Sequence, residues 1–330
     1  MDLTLAVDLG GTKIAGALVD RSGQVGPVRT VATPAQDGPD VVVRAVGRLL
    51  EDVLRGGWPG GAAGGPGSAG HADAGTRVRA VGVGTAGVVD VPAGTIVSST
   101  DTFAGWAGTH LGEEVRAAAS ALLERDVPVH VQNDVDAHAL GESWRGAAAG
   151  ARSALVVAVG TGIGAGVVLD GTVLRGAHHV AGELGHLPIG GADHLRCPCG
   201  RPGHLEALGS GAGMRRHYAW LSGDGSVLDA RGVVALAQSG DRTARQAVRE
   251  SAAAVGRGIA AVVTVLDPEV VVVSGGVAEA GVLWWRPMEH ALRAELVDVL
   301  EDVPVVPGRL GVAAPLLGAA ASAWRLVDAA

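Results

Sequence analysis

Cysteine, lysine, phenylalanine and tyrosine are nearly absent from this 330-residue chain: two cysteines, one Phe, one Tyr and, among 26 basic residues, the single lysine Lys13. With aromatics at 3%, the interior has to be filled by Val, Leu and Ala, and a hydrophobic content of 48% supplies them. The two cysteines stand either side of Pro198, where a disulfide would close a small, strained ring, so a disulfide framework is excluded. Scarce cysteine fits a reducing compartment, and the cytoplasm is the expected location. A formal charge of −8 argues against a nucleic-acid partner, because phosphate backbones demand basic patches. Apolar runs break at Asp, Pro or Gly before a membrane span is reached, so no membrane partner is expected. The first strand is expected at Leu3, which leaves no room for a targeting segment.

The chain is rich in glycine turns after apolar strands, and its chemistry gathers there. The strand Leu3–Val7 leads into Asp8-Leu9-Gly10-Gly11-Thr12-Lys13 and a second strand from Ile14 to Val19. Strand, tight turn, strand is a hairpin, which sets aside a Walker-type loop between strand and helix. Ala154–Val159, then Gly160-Thr161-Gly162-Ile163-Gly164, then Val167–Leu169 repeat that plan, so the chain reads as two related halves. Val78–Val83 is a buried strand entering a turn around Gly87. Val127–Val131 is another, ending at Gln132-Asn133-Asp134 before a helix over 135–144. Glu269–Val273 has the continuous apolar run of a central parallel strand and ends at Ser274-Gly275-Gly276. Helices are expected over 41–54, 112–125, 245–266 and 313–327, and residues 56–76 read as a loop rich in Gly and Ala. Strands alternating with helices make the fold class α/β. The predicted division is an N-terminal domain over 1–132 completed by the closing helix 313–330, and a C-terminal domain over 133–312.

Two sets of residues point to chemistry. Cys197 and Cys199 are bracketed by His186 and His204, and two thiolates with two imidazoles suit a tetrahedral zinc. His194 competes for the fourth position. Glu183 and Glu206 flank these ligands, so one ion would fix two carboxylates in space. The second set is Asp134 with the glycine turns. Asp134 ends a strand and precedes a helix; it reads either as a helix cap or as a base that takes a proton from a substrate hydroxyl. Turns that present backbone N–H groups bind anions, phosphate above all, which favours the base.

The Asp8–Lys13 hairpin, Asn133-Asp134, Gly182-Glu183-Leu184-Gly185-His186, the Cys197–Glu206 stretch, Gly160–Gly164 and Ser274-Gly275-Gly276 together resemble the ROK sugar kinases, in motif order and over nearly the whole chain. The resemblance implies the actin-like ATPase fold: two ribonuclease-H-like domains with ATP and sugar in a cleft between them. It implies Asp134 as general base, and Asn133, Glu183, His186, Glu206 and Gly87 as sugar-binding residues. It implies Gly10, Gly11, Thr12 and Lys13 as the first phosphate loop, and Gly160, Thr161, Gly162 and Gly164 as the second. Gly275 and Gly276 fall near the adenosine, and Asp8 falls near Mg²⁺. His186, Cys197, Cys199 and His204 would hold a structural Zn²⁺.

The expected reaction is ATP-dependent phosphorylation of a hexose hydroxyl, glucose O6 first, by a homodimer or homotetramer. An N-acetylhexosamine (ManNAc or GlcNAc) kinase and a non-catalytic sugar-binding regulator are the alternatives. Two departures bear on this. His204 stands where the family usually has a third cysteine, and Asp101-Thr102-Phe103-Ala104-Gly105-Trp106 replaces a stretch that often contacts a sugar hydroxyl. Replacing Glu206 by Gln is expected to raise the sugar KM and to spare that for ATP.

Overall fold

The structure is a computed structural model describing residues 1–58, 75, 77–100 and 102–329. Most of the loop read over 56–76 lies outside the described residues, as does Asp101. The chain forms two compact units, the first comprising Met1–Ala149, Arg175–Val180 and Val312–Ala330, the second Gly150–Leu174 and Ala181–Gly311.

The sheet of the first unit has the order β3-β2-β1-β4-β7. Antiparallel pairing joins β1 (Leu3–Leu9), β2 (Lys13–Asp20) and β3 (Arg29–Ala32), while β4 (Val78–Thr85) and β7 (Val129–Asn133) run parallel to β1. β5 (Val88–Asp90) and β6 (Thr95–Ser98) form a separate ribbon. Because these strands are apolar on both faces, the sheet needs cover on both. α1 (Pro39–Gly56) and α2 (Leu111–Leu123) pack together on one side and enclose Leu5, Leu18, Leu49, Leu50 and Val115. α3 (Asp134–Arg145) and α9 (Ala314–Ala329) pack together, with α9 also against β1, β4 and β7.

That contact is glycine-mediated. A Cβ at Gly82 would strike the Ala319 carbonyl, and one at Gly318 the Ala137 carbonyl, so backbones meet where side chains elsewhere would hold them apart. It also moves the boundary. The sequence reading divided the chain after residue 132, but α3 is tied to α9 and the first unit runs on to Ala149.

The second unit repeats the plan with the order β10-β9-β8-β11-β12. Here β8 (Ser153–Val159), β9 (Ile163–Leu169) and β10 (Thr172–Val173) are the antiparallel strands, and β11 (Val270–Ser274) and β12 (Val305–Pro307) lie parallel to β8. Its helices are α4 (Leu205–Gly209), α5 (Gly211–Ser222), α6 (Ala230–Ser239), α7 (Arg242–Leu266) and α8 (Val282–Glu295). The core gathers Leu155, Val157, Leu205, Ile259, Val271 and Trp284. Among the described residues no helix is long and apolar enough to cross a membrane.

Candidate functional site

In the first unit the polar candidates collect beyond the carboxyl ends of the parallel strands, where α/β sheets bind ligands. Register places Asp8 opposite Gly84, Gly84 opposite Gln132, and Thr85 opposite Asn133. The turn after β1 closes through Gly10 N–H donating to the Lys13 carbonyl (3.1 Å). Thr33 secures it, its amide on the Thr12 carbonyl (3.0 Å) and its hydroxyl on the Gly10 carbonyl (2.6 Å). Lys13 already belongs to β2, paired with Ala32.

Asn133, not Asp134, caps α3: its Oδ1 accepts from the amides of Val135 (2.8 Å) and Asp136 (3.3 Å). Its Nδ2 donates to the Gly87 carbonyl (2.9 Å). Gly87 has φ +106°, and a Cβ there would lie 2.8 Å from the Ser98 carbonyl oxygen, so this position requires glycine. With the cap supplied by its neighbour, Asp134 accepts through Oδ1 from Val135 N–H at 2.9 Å. Burial raises its pKa above the ordinary carboxylate value. Asp8 is pushed up to about 6, first by burial and then by the charge of Asp134, with Lys13 pulling the other way. A buried carboxyl that also feels a second carboxyl's charge favours a cation or a proton beside it. Asp8 therefore suits a hard divalent ion such as Mg²⁺.

In the second unit the glycine turn after β8 is Gly160–Gly162, closed by Gly160 N–H on the Gly162 carbonyl (2.9 Å); Gly164 already stands in β9, opposite Ala158. Gly211 N–H donates to the Gly160 carbonyl at 2.8 Å, which sets the start of α5 against the turn. After β11, Gly275 has φ +93°, and a Cβ there would strike the Val159 carbonyl. Val277 N–H then donates to that same carbonyl (3.0 Å). Gly160, Thr161, Gly276 and the amino ends of α5 and α6 line a cavity of about 660 Å³, with Arg215, Asp229 and Gln238 among its polar groups. Those three residues escaped the sequence reading. The only local signals were the caps Ser210 and Asp229, which accept from Gly213 and Gly232.

The candidate metal ligands lie in a folded-back loop. Arg196 pairs with Pro202 and Pro188 with His204, and the amide of Cys197 donates to the Arg201 carbonyl at 2.9 Å. His186, Cys197, Cys199 and His204 bring their ligand atoms within 4.8 Å of one another. Cys197 Sγ is 3.5 Å from His186 Nδ1, and Cys199 Sγ is 3.2 Å from His204 Nδ1. A tetrahedral zinc with bonds of about 2.0–2.3 Å has sulfur–nitrogen edges of roughly 3.6 Å, so the donor set fits. His194 is not among the four. Its Nε2 lies 3.0 Å from His217 Nδ1 instead.

His186 turns its other nitrogen, Nε2, to within 3.5 Å of Glu183 Oε2. Glu206 follows the last ligand on α4, and its Oε2 accepts from the amide of Ile163 at 2.9 Å. The carboxylate thus grips the far end of the second glycine turn as well as following the metal loop. A reading of Glu206 as a sugar contact alone missed this, because nothing local in the sequence links residues 163 and 206.

The pair of repeated sheets, each opening with a glycine-turn hairpin and each carrying its polar residues at the carboxyl ends of parallel strands, is the actin-like ATPase fold. The chain matches the ROK family over residues 68–325. It is 30% identical to a glucokinase of Halalkalibacterium halodurans, over 90% of this chain and 87% of that one. It is 31% identical to an N-acetyl-D-glucosamine kinase of Photobacterium profundum, over 95% and 96%. Among solved structures, a ROK hexokinase from Thermus thermophilus superposes with a TM-score of 0.83 at 34% identity, covering 99% and 100% of the two chains. A ROK glucokinase from Streptomyces griseus, in complex with glucose and AMPPNP, gives 0.76 at 28% identity over 98% and 99%. This chain belongs to the ROK family.

Proposed function

We propose that this protein is an ATP:hexose phosphotransferase with Asp134 as its general base. The observation that carries the reading is the state of Asp134: beyond the end of β7, relieved of the cap by Asn133, and with its pKa raised by burial. A base must start ionised yet gain from taking a proton, and a raised carboxyl gains more than an ordinary one.

Each unit supplies its own share. In the first, Asp134 takes the proton of the sugar hydroxyl as its oxygen bonds to the γ-phosphorus and the bond to the β,γ-bridging oxygen breaks, releasing ADP. Asn133 and Gly87 would orient that hydroxyl, and Gly10, Gly11, Thr12 and Lys13 would receive the phosphates. Asp8 would hold Mg²⁺, which when bound neutralises phosphate charge. In the second, the cavity at Gly160, Thr161 and Gly276 would take the nucleoside, with Gly162, Gly164 and Gly275 shaping it. Glu183, His186 and Glu206 would hydrogen-bond the sugar. His186, Cys197, Cys199 and His204 would hold a structural zinc, which would fix the backbone that bears them. Most of the rate gain is positioning and charge stabilisation.

Glucose, through O6, is the acceptor we infer, following the glucokinase and hexokinase relatives. An N-acetylhexosamine kinase is the second reading, favoured by the Photobacterium relative and by the changed 101–106 stretch. A coupled ADP-release assay over a panel of hexoses and N-acetylhexosamines, with ATP and polyphosphate as donors, tests both. Turnover with glucose above that with GlcNAc or ManNAc supports the first; no turnover with any sugar refutes the kinase.

A further inference from the structure

We propose that the second unit carries an effector site for a small organic bisphosphate, in a cavity between α7 and α8 that shares no lining residue with the nucleoside cavity. Its volume is about 800 Å³. Against a chain of net charge −8, its ionisable rim is mostly cationic, with Arg249 and Arg257 from α7 and Arg286 from α8; the His290 imidazole lies on the same rim. Low-dielectric walls around one sign of charge concentrate the opposite ion.

Spacing sets the ligand class. Arg249 and Arg257 are eight residues apart on one helical face, about 12 Å along the axis, with Ala253 between them. Arg286 and His290 are one turn apart, about 6 Å. Two anionic ends on a short carbon body match this, since the guanidinium fork takes phosphate in two bonds while Leu208, Leu283 and Ala291 offer apolar floor. Arg286 has no partner among the described residues and is exposed. The one carboxylate of the rim, Glu250, is engaged: Oε2 with His217 Nε2 at 2.7 Å and Oε1 with Gln246 at 3.0 Å, with Arg249 Nη2 a looser 3.9 Å from Oε1 across an exposed face.

The cavity also reaches the metal loop at two points. Arg257 donates to the Gly190 carbonyl at 3.2 Å, and Gly190 lies between His186 and Cys197 in the chain. Glu250 holds His217, whose Nδ1 meets His194 of the same loop at 3.0 Å. An anion that draws Arg257 from Gly190 loosens the segment bearing His186 and Glu206. Occupancy therefore raises the sugar KM and leaves kcat in place. This second step rests on the sugar reading above; the binding site itself does not.

The test uses fructose 1,6-bisphosphate as probe, titrated by calorimetry into the zinc-loaded full chain saturated with AMPPNP. One probe should bind per chain, and the double variant Arg249→Gln/Arg286→Gln should bind it at least roughly a hundredfold more weakly, about tenfold per lost charged contact. Both positions are exposed, so the variant should melt with the parent. The probe should raise the parent's sugar KM and leave the variant's unmoved. No binding, binding displaced by AMPPNP, or undiminished binding by the variant overturns the site. Binding with an unmoved sugar KM overturns the coupling. A chain that binds the probe and phosphorylates no sugar refutes the kinase reading and upholds the site.

Discussion

Replacing Asp8 by Asn should make the metal-free protein more stable, and more so as the pH rises. Asp8 titrates near 6 rather than 3.8 because burial withholds water from its charge, and Asp134 adds a second negative centre nearby. A carboxyl raised in this way favours the folded state fully below pH 3.8, and that contribution is lost as the pH climbs through 6. A rise of about two units corresponds to about 3 kcal/mol. The neutral amide of Asp8→Asn escapes the loss. Integrated over pH, the variant should exceed the parent by about 0.5 kcal/mol at pH 4 and about 3 kcal/mol at pH 8, most of the growth falling between 4 and 6. Urea unfolding of both proteins at steps of pH, with chelator present, reads this difference, and other titrating groups cancel in the subtraction. Millimolar Mg²⁺ should narrow the gap at pH 8 by stabilising the parent. A gap that does not change with pH, or a parent more stable at pH 8, would refute the account of Asp8 as a charge held at a cost for the sake of a cation.

Asp134→Asn should lower turnover by about 10²–10⁴ while the sugar Kd, measured by calorimetry, stays within a few-fold; substantial remaining turnover removes Asp134 as base. Metal analysis should find one zinc per chain, and Cys197→Ser should lose it. Because burial pushes the Cys197 thiol up to about 11, zinc uptake must displace its proton, and the apparent affinity should climb with pH. Glu206→Gln should raise the sugar KM roughly ten- to a hundredfold and the ATP KM by a few-fold, since the same carboxylate holds Ile163; an unmoved ATP KM would separate it from the glycine turn. Gly275→Ala should cost about 2–4 kcal/mol in unfolding experiments, combining a strained φ with a clash on the Val159 carbonyl; a change under about 1 kcal/mol would show that the turn relaxes.

Strands and turns were the legible part of this fold. Both glycine hairpins fall where alternating apolar runs and turn residues put them, and the long helix read at 245–266 is α7, begun three residues earlier by the cap Asp241. The metal set was readable because all four donors sit within one short window. That His194 turns to His217 instead was not, since the partner lies outside that window. α5 and α6 went unread: Gly211 and Gly213, both poor helix formers, open one, and α6 has the sequence Ala-Arg-Gly-Val-Val-Ala-Leu-Ala-Gln-Ser, with glycine in its first turn. α8 contains Pro287, which argues against a helix until its missing donor is placed in context. These helices build the walls of both cavities, so the cavities were beyond reach. The partition of the chain was hidden for a similar reason: whether α3 joins the residues before it or those after it depends on α9, whose glycine contacts are not local.

Dependence on α9 has a consequence for how the protein is made. Emerging from a ribosome, β1 to β7 and α3 appear early, but the helix that covers β1, β4 and β7 on α3's side is synthesised only after the whole of the second unit. At about 5–20 residues per second, the chain from Gly150 to Gly311 takes roughly ten to thirty seconds to appear. Over that interval Gly82, Ala137 and Gly141 wait for Ala314, Gly318 and Ala319, and a strip of apolar sheet stays open to chaperones or to other nascent chains. The second unit, nearly continuous in sequence, has its strands and helices in hand before the first can close. The order of completion during synthesis is thus the reverse of the order of the names first and second, and stop codons ahead of Ala314 should yield chains that aggregate through the older half of the molecule.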